Sequence, residues 1–489
     1  MRPKYQNDVK MSDLKSDSAA KSFTDERRYT IMTTRPLAGL ILSLSAPSAL
    51  SMLITSVYNM TDTYFVAKLG TSAAAAVGVV FALMSLIQAI GFTVGMGAAS
   101  SISRLLGARE NDAADVYASS AVVMAAILGA VTSASGLLLL EPLMTLLGAT
   151  ETSLPYASQY AAYILVGAPV MCVTFALNAV LRAEGHAAFC TIGIALGGVV
   201  NIILDPILIF TLEMGVSGAA IATLISQIIS FLVLVSVFIT GKTVVKLSPG
   251  RVSKSLGLYV KIIANGSPTL CRQGLASLAS ALLAITSKPY GDAAVAALTI
   301  AAKVYAMIRN FVVGIGQGYQ PVAGYNFGAL NYRRVKRGFF FTLSVGTAVC
   351  LAAAVFIALG SETIMSAFGK DEQEVISVGS DALKTFCFSL PVLGFSTYVN
   401  QMFQCLGRNK SAAFLASCRQ GVFFVPLIFI LTHFFGIVGT EYTQSIADIL
   451  TFAVSVPFLA VFFAKMPSDD RGIGDGPSGI TSINKSTNK

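Results

Sequence analysis

The sequence predicts an all-α membrane protein, with twelve transmembrane helices arranged as two homologous six-helix lobes. Three observations predict it. Of the 489 residues, 54% are hydrophobic and only 12% are charged, roughly half the charge that a soluble surface carries. The apolar residues come in runs of about 20 or more, long enough to cross roughly 30 Å of hydrocarbon. The chain also repeats itself at an offset of 221. Gly70 falls on Gly291, Gly95 on Gly316, Gly97 on Gly318 and Gly107 on Gly328, and Gly148, Gly215 and Gly218 fall on Gly369, Gly436 and Gly439. Pro47 falls on Pro268 at the same offset.

The apolar segments run roughly over 38–66, 73–103, 114–140, 154–181, 187–211, 216–240, 258–286, 293–320, 338–361, 378–404, 411–434 and 441–464. Their length and their glycine and alanine content suit closely packed membrane helices. Barrel strands would be about 10 residues long with a period of two. Ahead of them, residues 1–35 are polar, mixed in charge and without an apolar core. They read as a disordered cytosolic tail rather than a signal peptide. The domains expected are that tail, an N-lobe over 36–241, a cytosolic linker over 242–257, a C-lobe over 258–465 and a cytosolic C-terminal tail over 466–489. Six is even, so both lobes enter the membrane the same way round. The repeat is therefore parallel, with a pseudo-two-fold axis along the membrane normal, a design in which transporters bind cargo between the halves.

Orientation follows from the loops. One set carries Arg104, Arg109, Arg182, Lys242, Lys246, Arg251, Lys254, Arg333, Arg334, Lys336, Arg337, Arg408 and Lys410. The alternate set holds Lys68, Lys288 and Lys370 and is otherwise acidic: Glu151, Glu213, Asp292, Asp371, Glu372 and Glu374. Basic loops stay cytosolic, which puts both termini in the cytosol of an inner-membrane protein. The net charge of +9 is thereby assigned to topology, and no nucleic-acid partner is expected. The seven cysteines, Cys172, Cys190, Cys271, Cys350, Cys387, Cys405 and Cys418, form no CxxC pair and read as small packing residues. Two histidines, His186 and His433, leave no histidine metal cluster. No phosphate loop, HExxH or GxSxG motif is present, which argues against an ATP-driven pump in this chain. No Ser/His or Cys/His pairing offers a nucleophile and base at matched depth, so no enzyme and no cofactor are expected.

Ionisable groups inside a span are costly and mark function. Asp62 lies late in the first helix, within Tyr58-Asn59-Met60-Thr61-Asp62-Thr63, and Asp205 late in the fifth, within Asn201-Ile202-Ile203-Leu204-Asp205-Pro206. Asn201 and Asp205 are four apart and share a helix face. Pro206 cannot donate to the Ile202 carbonyl, leaving an acceptor nearby. Asp62 precedes Gly70 by eight residues and Asp205 precedes Glu213 by eight, about 12 Å of helix in each case. The two carboxylates should therefore share a depth in the outer half of the membrane. Capping a helix end or making a structural hydrogen bond are the plainer roles; a hard cation or a proton suits the matched pair. The second half has Leu283 opposite Asp62 and Val425-Pro426 near the counterpart of Asp205, so a coupling ion would bind in the first half alone. The second half instead carries Arg272-Gln273, Lys303, Arg309, Lys384, Arg419-Gln420, Glu441 and Asp448, each either a packed ion pair or part of a polar, wet face. The run Gly314-Ile315-Gly316-Gln317-Gly318-Tyr319-Gln320-Pro321 and its first-half equivalent Gly95-Met96-Gly97 read as breakable helix or as close-packing contacts.

At these residues the chain resembles the multidrug and toxic compound extrusion (MATE) family over roughly 36–465. The segments carrying the resemblance are Pro47 with Asp62-Thr63, Ser103-Arg104-Leu105-Leu106-Gly107-Ala108, Asn201 through Pro206 and Gly218-Ala219-Ala220-Ile221-Ala222-Thr223. In the second half they are Pro268 with Arg272-Gln273, Gln317 through Pro321, Gly324-Tyr325-Asn326-Phe327-Gly328-Ala329 and Arg419-Gln420. The arginine–glutamine pairs are similar to the bacterial multidrug-exporter branch. The resemblance implies a MATE-type fold and a first-lobe site for H⁺ or Na⁺ made by Asp62, Tyr160, Asn201, Asp205 and Thr223, with Na⁺ as the only metal in question. Thr223 is eight residues after Gly215 and Tyr160 eight after Thr152, which matches the depth of the carboxylates. It further implies a bend of the first helix at Pro47 when the ion state changes, and a cargo pathway along Arg272, Gln273, Gln317, Gln320, Arg419 and Gln420. One departure stands out: where some relatives hold an acidic residue after the helix-seven proline, this chain reads Arg272-Gln273-Gly274-Leu275-Ala276, which counts against a second-lobe cation site. The expected function is a secondary antiporter, working as a monomer in the bilayer, that exports amphipathic, cationic drugs or toxic compounds against H⁺ or Na⁺. The rival of the same superfold is a flippase for lipid-linked precursors, with the basic second-lobe residues on phosphate.

Overall fold

The computed structural model describes residues 25–366 and 373–467. The expected tails over 1–24 and 468–489, and Lys370, Asp371 and Glu372, lie outside the described residues. After a first helix, α1, over 25–34, come α2 (Leu37–Ala67), α3 (Thr71–Gly107), α4 (Asn111–Leu138), the short α5 (Leu140–Leu146), α6 (Leu154–Ala183), α7 (Ala187–Pro206) and α8 (Gly215–Ile239). The second half holds α9 (Leu256–Ser287), α10 (Asp292–Gly328), α11 (Tyr332–Ser366), α12 (Gln373–Cys405), α13 (Asn409–Ser417) and α14 (Phe424–Lys465). Each expected apolar segment is helical.

Among the described residues, eleven continuous stretches are long and apolar enough to cross a membrane, and the last, Asn409–Lys465, has 57 residues. A straight helix of that length would reach about 85 Å, far beyond a bilayer. It turns back at Gly436, whose φ of 60° and ψ of −139° break the helix. Thr432 and Thr440 then face each other at 2.8 Å. The stretch therefore makes two passes, and the described residues make twelve. Leu138, Phe356, Leu359, Phe388 and Phe434 point outward at 70–86% exposure, an apolar surface suited to lipid.

The two-lobe arrangement rests on four seam helices. α2 packs on α10, and α3 packs on both α9 and α10. Their close contacts gather toward the face that carries the basic loops, here the basic face; the opposite one is the acidic face. Glycine permits the approach. A Cβ on Gly97 would stand 2.0 Å from the Ile262 carbonyl, and one on Gly266 2.0 Å from that of Thr93. Repeat mates Gly107 and Gly328 behave alike: their Cβ positions fall 2.1 Å from the carbonyls of Tyr325 and Arg104. Ser45 donates to the Ile315 carbonyl (2.8 Å), and Asn265 to Ser101 (2.8 Å). The run Gly314–Pro321 is an unbroken part of α10. Gly314 lies under Ala49 and Gly318 under Ser45, so these glycines act as packing contacts rather than as a break.

The expected disordered tail needs correction over 25–34. This stretch is helical and docks on the basic face. Met32 is fully buried, with its methyl in the space beside Gly185. Arg28 Nε donates to the Glu184 carbonyl at 2.8 Å, and Asn326 Nδ2 donates to the Met32 carbonyl at 3.0 Å. Arg109 pairs with Glu26 at 2.8 Å. The helix thus touches both halves, and long-range partners fix a segment whose composition alone reads as a tail. The linker is also held. Glu184 Oε2 accepts the Val244 amide (2.8 Å), Asp115 accepts the Lys246 amide (2.7 Å), and Arg251 pairs with Asp115 (2.6 Å). Burial pushes the Glu184 carboxyl up to about 8, against the opposing pull of its two amide donors and Arg28. The same burial, with Arg28 nearby, lowers His186 to about 3.

Candidate functional site

Local sequence shapes the first-half site. Pro206 has no amide hydrogen, so α7 ends there and the chain widens into a π-turn over Ile207–Thr211, a form frequent at functional sites. Gly197 and Gly218 let α8 approach closely: their Cβ positions meet Ser230 Oγ at 2.0 Å and the Leu208 backbone at 2.7 Å. That approach carries Thr223 on α8 to Asn201 on α7. Asp62 comes from the acidic-face end of α2, and Tyr160 from α6.

The five residues form one hydrogen-bonded group. Asn201 Nδ2 donates to Asp205 Oδ1 at 3.1 Å and to Thr223 Oγ1 at 3.5 Å. Tyr160 OH lies 3.5 Å from Thr223 Oγ1 and donates to Asp62 Oδ2 at 3.4 Å. One donor direction satisfies the whole chain: Asn201 to Thr223, Thr223 to Tyr160, Tyr160 to Asp62. Asp205 is fully buried and Asp62 partly so. Asp62 Oδ1, Asp205 Oδ2 and Asn201 Oδ1 are buried without a hydrogen-bond partner. Two other buried carboxylates have arginines, Asp115 with Arg251 and Asp448 with Arg419, each at 2.6 Å. Among the described residues Asp62 and Asp205 have none. Three orphaned oxygens and two uncompensated carboxylates fit a hard cation, or a proton on one carboxylate.

Second-half candidates separate into two places. Arg419 sits in a π-turn, Cys418–Phe423, and is a packed ion pair: its Nε donates to Asp448 Oδ1, and its Nη2 to Tyr305 OH at 2.9 Å. Gln420 Nε2 donates to Gln444 Oε1 at 3.2 Å. Arg272 and Gln273 stand on α9 nearby, both partly exposed. Gln317 and Gln320 lie apart, buried toward the basic face. Gln320 lines a small cavity between the lobes with Ser100, Ser103, Arg182 and Gln404. Tyr305 and Gln444 escape a reading for charge, yet both hydrogen-bond Asp448. A signal for them exists: Tyr305 is four residues before Arg309, and Gln444 four before Asp448, each on one helix face. All seven cysteines are free.

The family model described as MatE matches the chain over residues 47–207 and 268–430. The two matches begin at Pro47 and Pro268, separated by the repeat offset. The chain belongs to the MatE family. It is a multi-pass membrane transporter of the two-lobe fold. The multidrug export protein MepA of Staphylococcus saprophyticus is 26% identical over 427 residues, 87% of this chain and 93% of the relative. An FAD transporter of Shewanella oneidensis is 26% identical over 426 residues, 86% of this chain and 93% of the relative. The crystal structure of MATE in complex with MaL6 matches with a TM-score of 0.86 at 26% identity, covering 90% of this chain and 98% of that one.

Proposed function

We propose that this MatE transporter is a multidrug exporter working by antiport: inward H⁺ or Na⁺ at Asp62, Tyr160, Asn201, Asp205 and Thr223 drives export of amphipathic organic compounds. The single observation that carries this reading is the uncompensated carboxylate pair, hydrogen-bonded into one group with three orphaned oxygens. A group of this kind binds a cation and changes its hydrogen bonding when it does, which gives the seam helices a bias between two arrangements. Similarity to MepA, a multidrug export protein, supports the cargo class. Cationic compounds are the class that the uncompensated Asp62 and Asp205 favour. The basic loops support an inner-membrane orientation with both termini in the cytosol. The N-lobe over 36–241 would hold the ion, and Pro47 in α2 would be the hinge.

The test is dye efflux in everted vesicles under imposed ΔpH or Na⁺ gradients, with Asp205→Asn and Asp62→Asn beside the wild type. Efflux should collapse in both variants while substrate binding partly survives, and the gradient that drives the wild type names the ion. Full gradient-driven efflux in both variants would refute the site.

A further inference from the structure

The second half brings three guanidinium groups together, two of them on its seam helices. Arg272 lies 16 residues into α9 and Arg309 17 residues into α10, about 25 Å along each helix and so near its middle. Arg419 comes from the π-turn at Cys418–Phe423. α9 packs on that turn through Leu275, whose Cδ1 lies 3.0 Å from the Cβ position of Gly421. Arg272, Arg309 and Arg419 lie within electrostatic reach of one another.

One carboxylate, Asp448, stands among them, and both its oxygens are engaged. Its Oδ1 accepts from Arg419 Nε (2.6 Å) and from Gln444 Nε2 (2.9 Å). Its Oδ2 accepts from Tyr305 OH. Three positive charges therefore face one negative charge that is already engaged with Arg419. Among the described residues, Arg272 and Arg309 have neither an ion pair nor a side-chain hydrogen bond, and both are partly exposed. Asn310, next to Arg309, reaches Ser56 across the seam at 3.4 Å, and Asn265, two turns before Arg272 on the same face of α9, donates to Ser101 across the seam at 2.8 Å. Both arginines therefore border the contact between the lobes, where cargo passes in a two-lobe transporter. Uncompensated charge at mid-membrane depth is costly and points to a matching ligand. Guanidinium forks from two helices suit a carboxylate or phosphate, whose oxygens they bind in pairs.

We propose that Arg272 and Arg309, backed by Arg419, form a cationic subsite for the carboxylate or phosphate group of an amphipathic ligand. The cargo range of the transporter then extends to amphiphilic acids and zwitterions. This cargo assignment rests on the exporter reading; the subsite itself does not need it. Polarity is divided between the halves, with the acidic ion group on one and the basic subsite on the other.

The test is equilibrium binding, which needs no gradient, so loss of antiport would leave it readable. Purified protein in phosphatidylcholine nanodiscs is titrated with carboxyfluorescein and, separately, ethidium, and fluorescence anisotropy is read. Arg272→Gln/Arg309→Gln should weaken carboxyfluorescein about tenfold or more, as expected for two lost charge-assisted hydrogen bonds, and leave ethidium unchanged. Equal carboxyfluorescein affinity in the folded variant, or wild-type protein that binds ethidium alone, overturns the proposal. If the glutamine pair fails to fold, Arg272→Lys/Arg309→Lys decides: point charges in place of forks should lower the dye affinity severalfold, and unchanged affinity overturns the subsite. Nanodiscs with added phosphatidylglycerol separate the two sources of the acid group. Competition with the dye assigns the subsite to a lipid headgroup, and none assigns it to a free amphiphile; either result supports the shared chemistry.

Discussion

Gly107 and Gly328 are repeat mates that close the basic face by the same device, each packed beneath a backbone carbonyl of the other half. Alanine at either position places a Cβ 2.1 Å from that carbonyl, where ordinary contact begins at 3.4 Å. The partner is backbone, so no side chain can swing aside, and the lobes must part by more than an ångström. Overpacking of this kind costs about 1–3 kcal/mol, enough to shift a two-state equilibrium roughly 5- to 150-fold away from the form sealed on the basic face. The control is Gly78→Ala on α3, where nothing lies within 4 Å; alanine there only favours the helix. Spin labels at Glu110 and Lys410, both exposed and on opposite halves of the basic face, read the separation by double electron–electron resonance in a cysteine-free background. Gly107→Ala and Gly328→Ala should each move population to longer distances and slow efflux, while Gly78→Ala matches the parent. Identical distance distributions in all three would show that the glycine contacts do not hold the seal.

Two further outcomes follow from the fold. The Glu184 carboxyl, held near 8 in the folded protein, binds a proton that the unfolded chain releases near 4.5. Stability should therefore be greatest below the unfolded value and fall as pH rises toward 8, by about 1.4 kcal/mol per unit; thermal unfolding of Glu184→Gln should lose that slope, and an unchanged slope assigns it to other groups. Pro47→Ala should impair efflux more than Pro268→Ala at equal expression. The Pro47 carbonyl accepts from both Ser51 and Thr191 (2.9 and 2.7 Å) on the half that carries the carboxylates; equal losses would make both prolines fold elements only.

The sequence by itself determined the twelve spans, because backbone polar groups in hydrocarbon must be satisfied internally, which a helix does within one segment, and the apolar runs have the required length. It determined the two-lobe repeat through glycines spaced by 221, and it singled out Asp62 and Asp205 because charge in an apolar run is rarely without purpose. What surrounds them was decided by tertiary structure. Tyr160 and Thr223 sit on different helices, at depths the sequence can estimate but at azimuths it cannot, since azimuth depends on how Gly197 and Gly218 let α8 settle on α7. The same holds for Arg419: its ambiguity between packed pair and wet surface disappeared only when the turn at Gly436 folded Asp448 back beside it and α10 brought Tyr305. Residues 25–34 show the limit most plainly. Their polar composition specifies no partner, and they are ordered by Glu184, Asn326 and the space beside Gly185, positions between about 150 and 300 residues away along the chain. Local pattern fixes what a segment can form; long-range packing fixes which of its side chains meet.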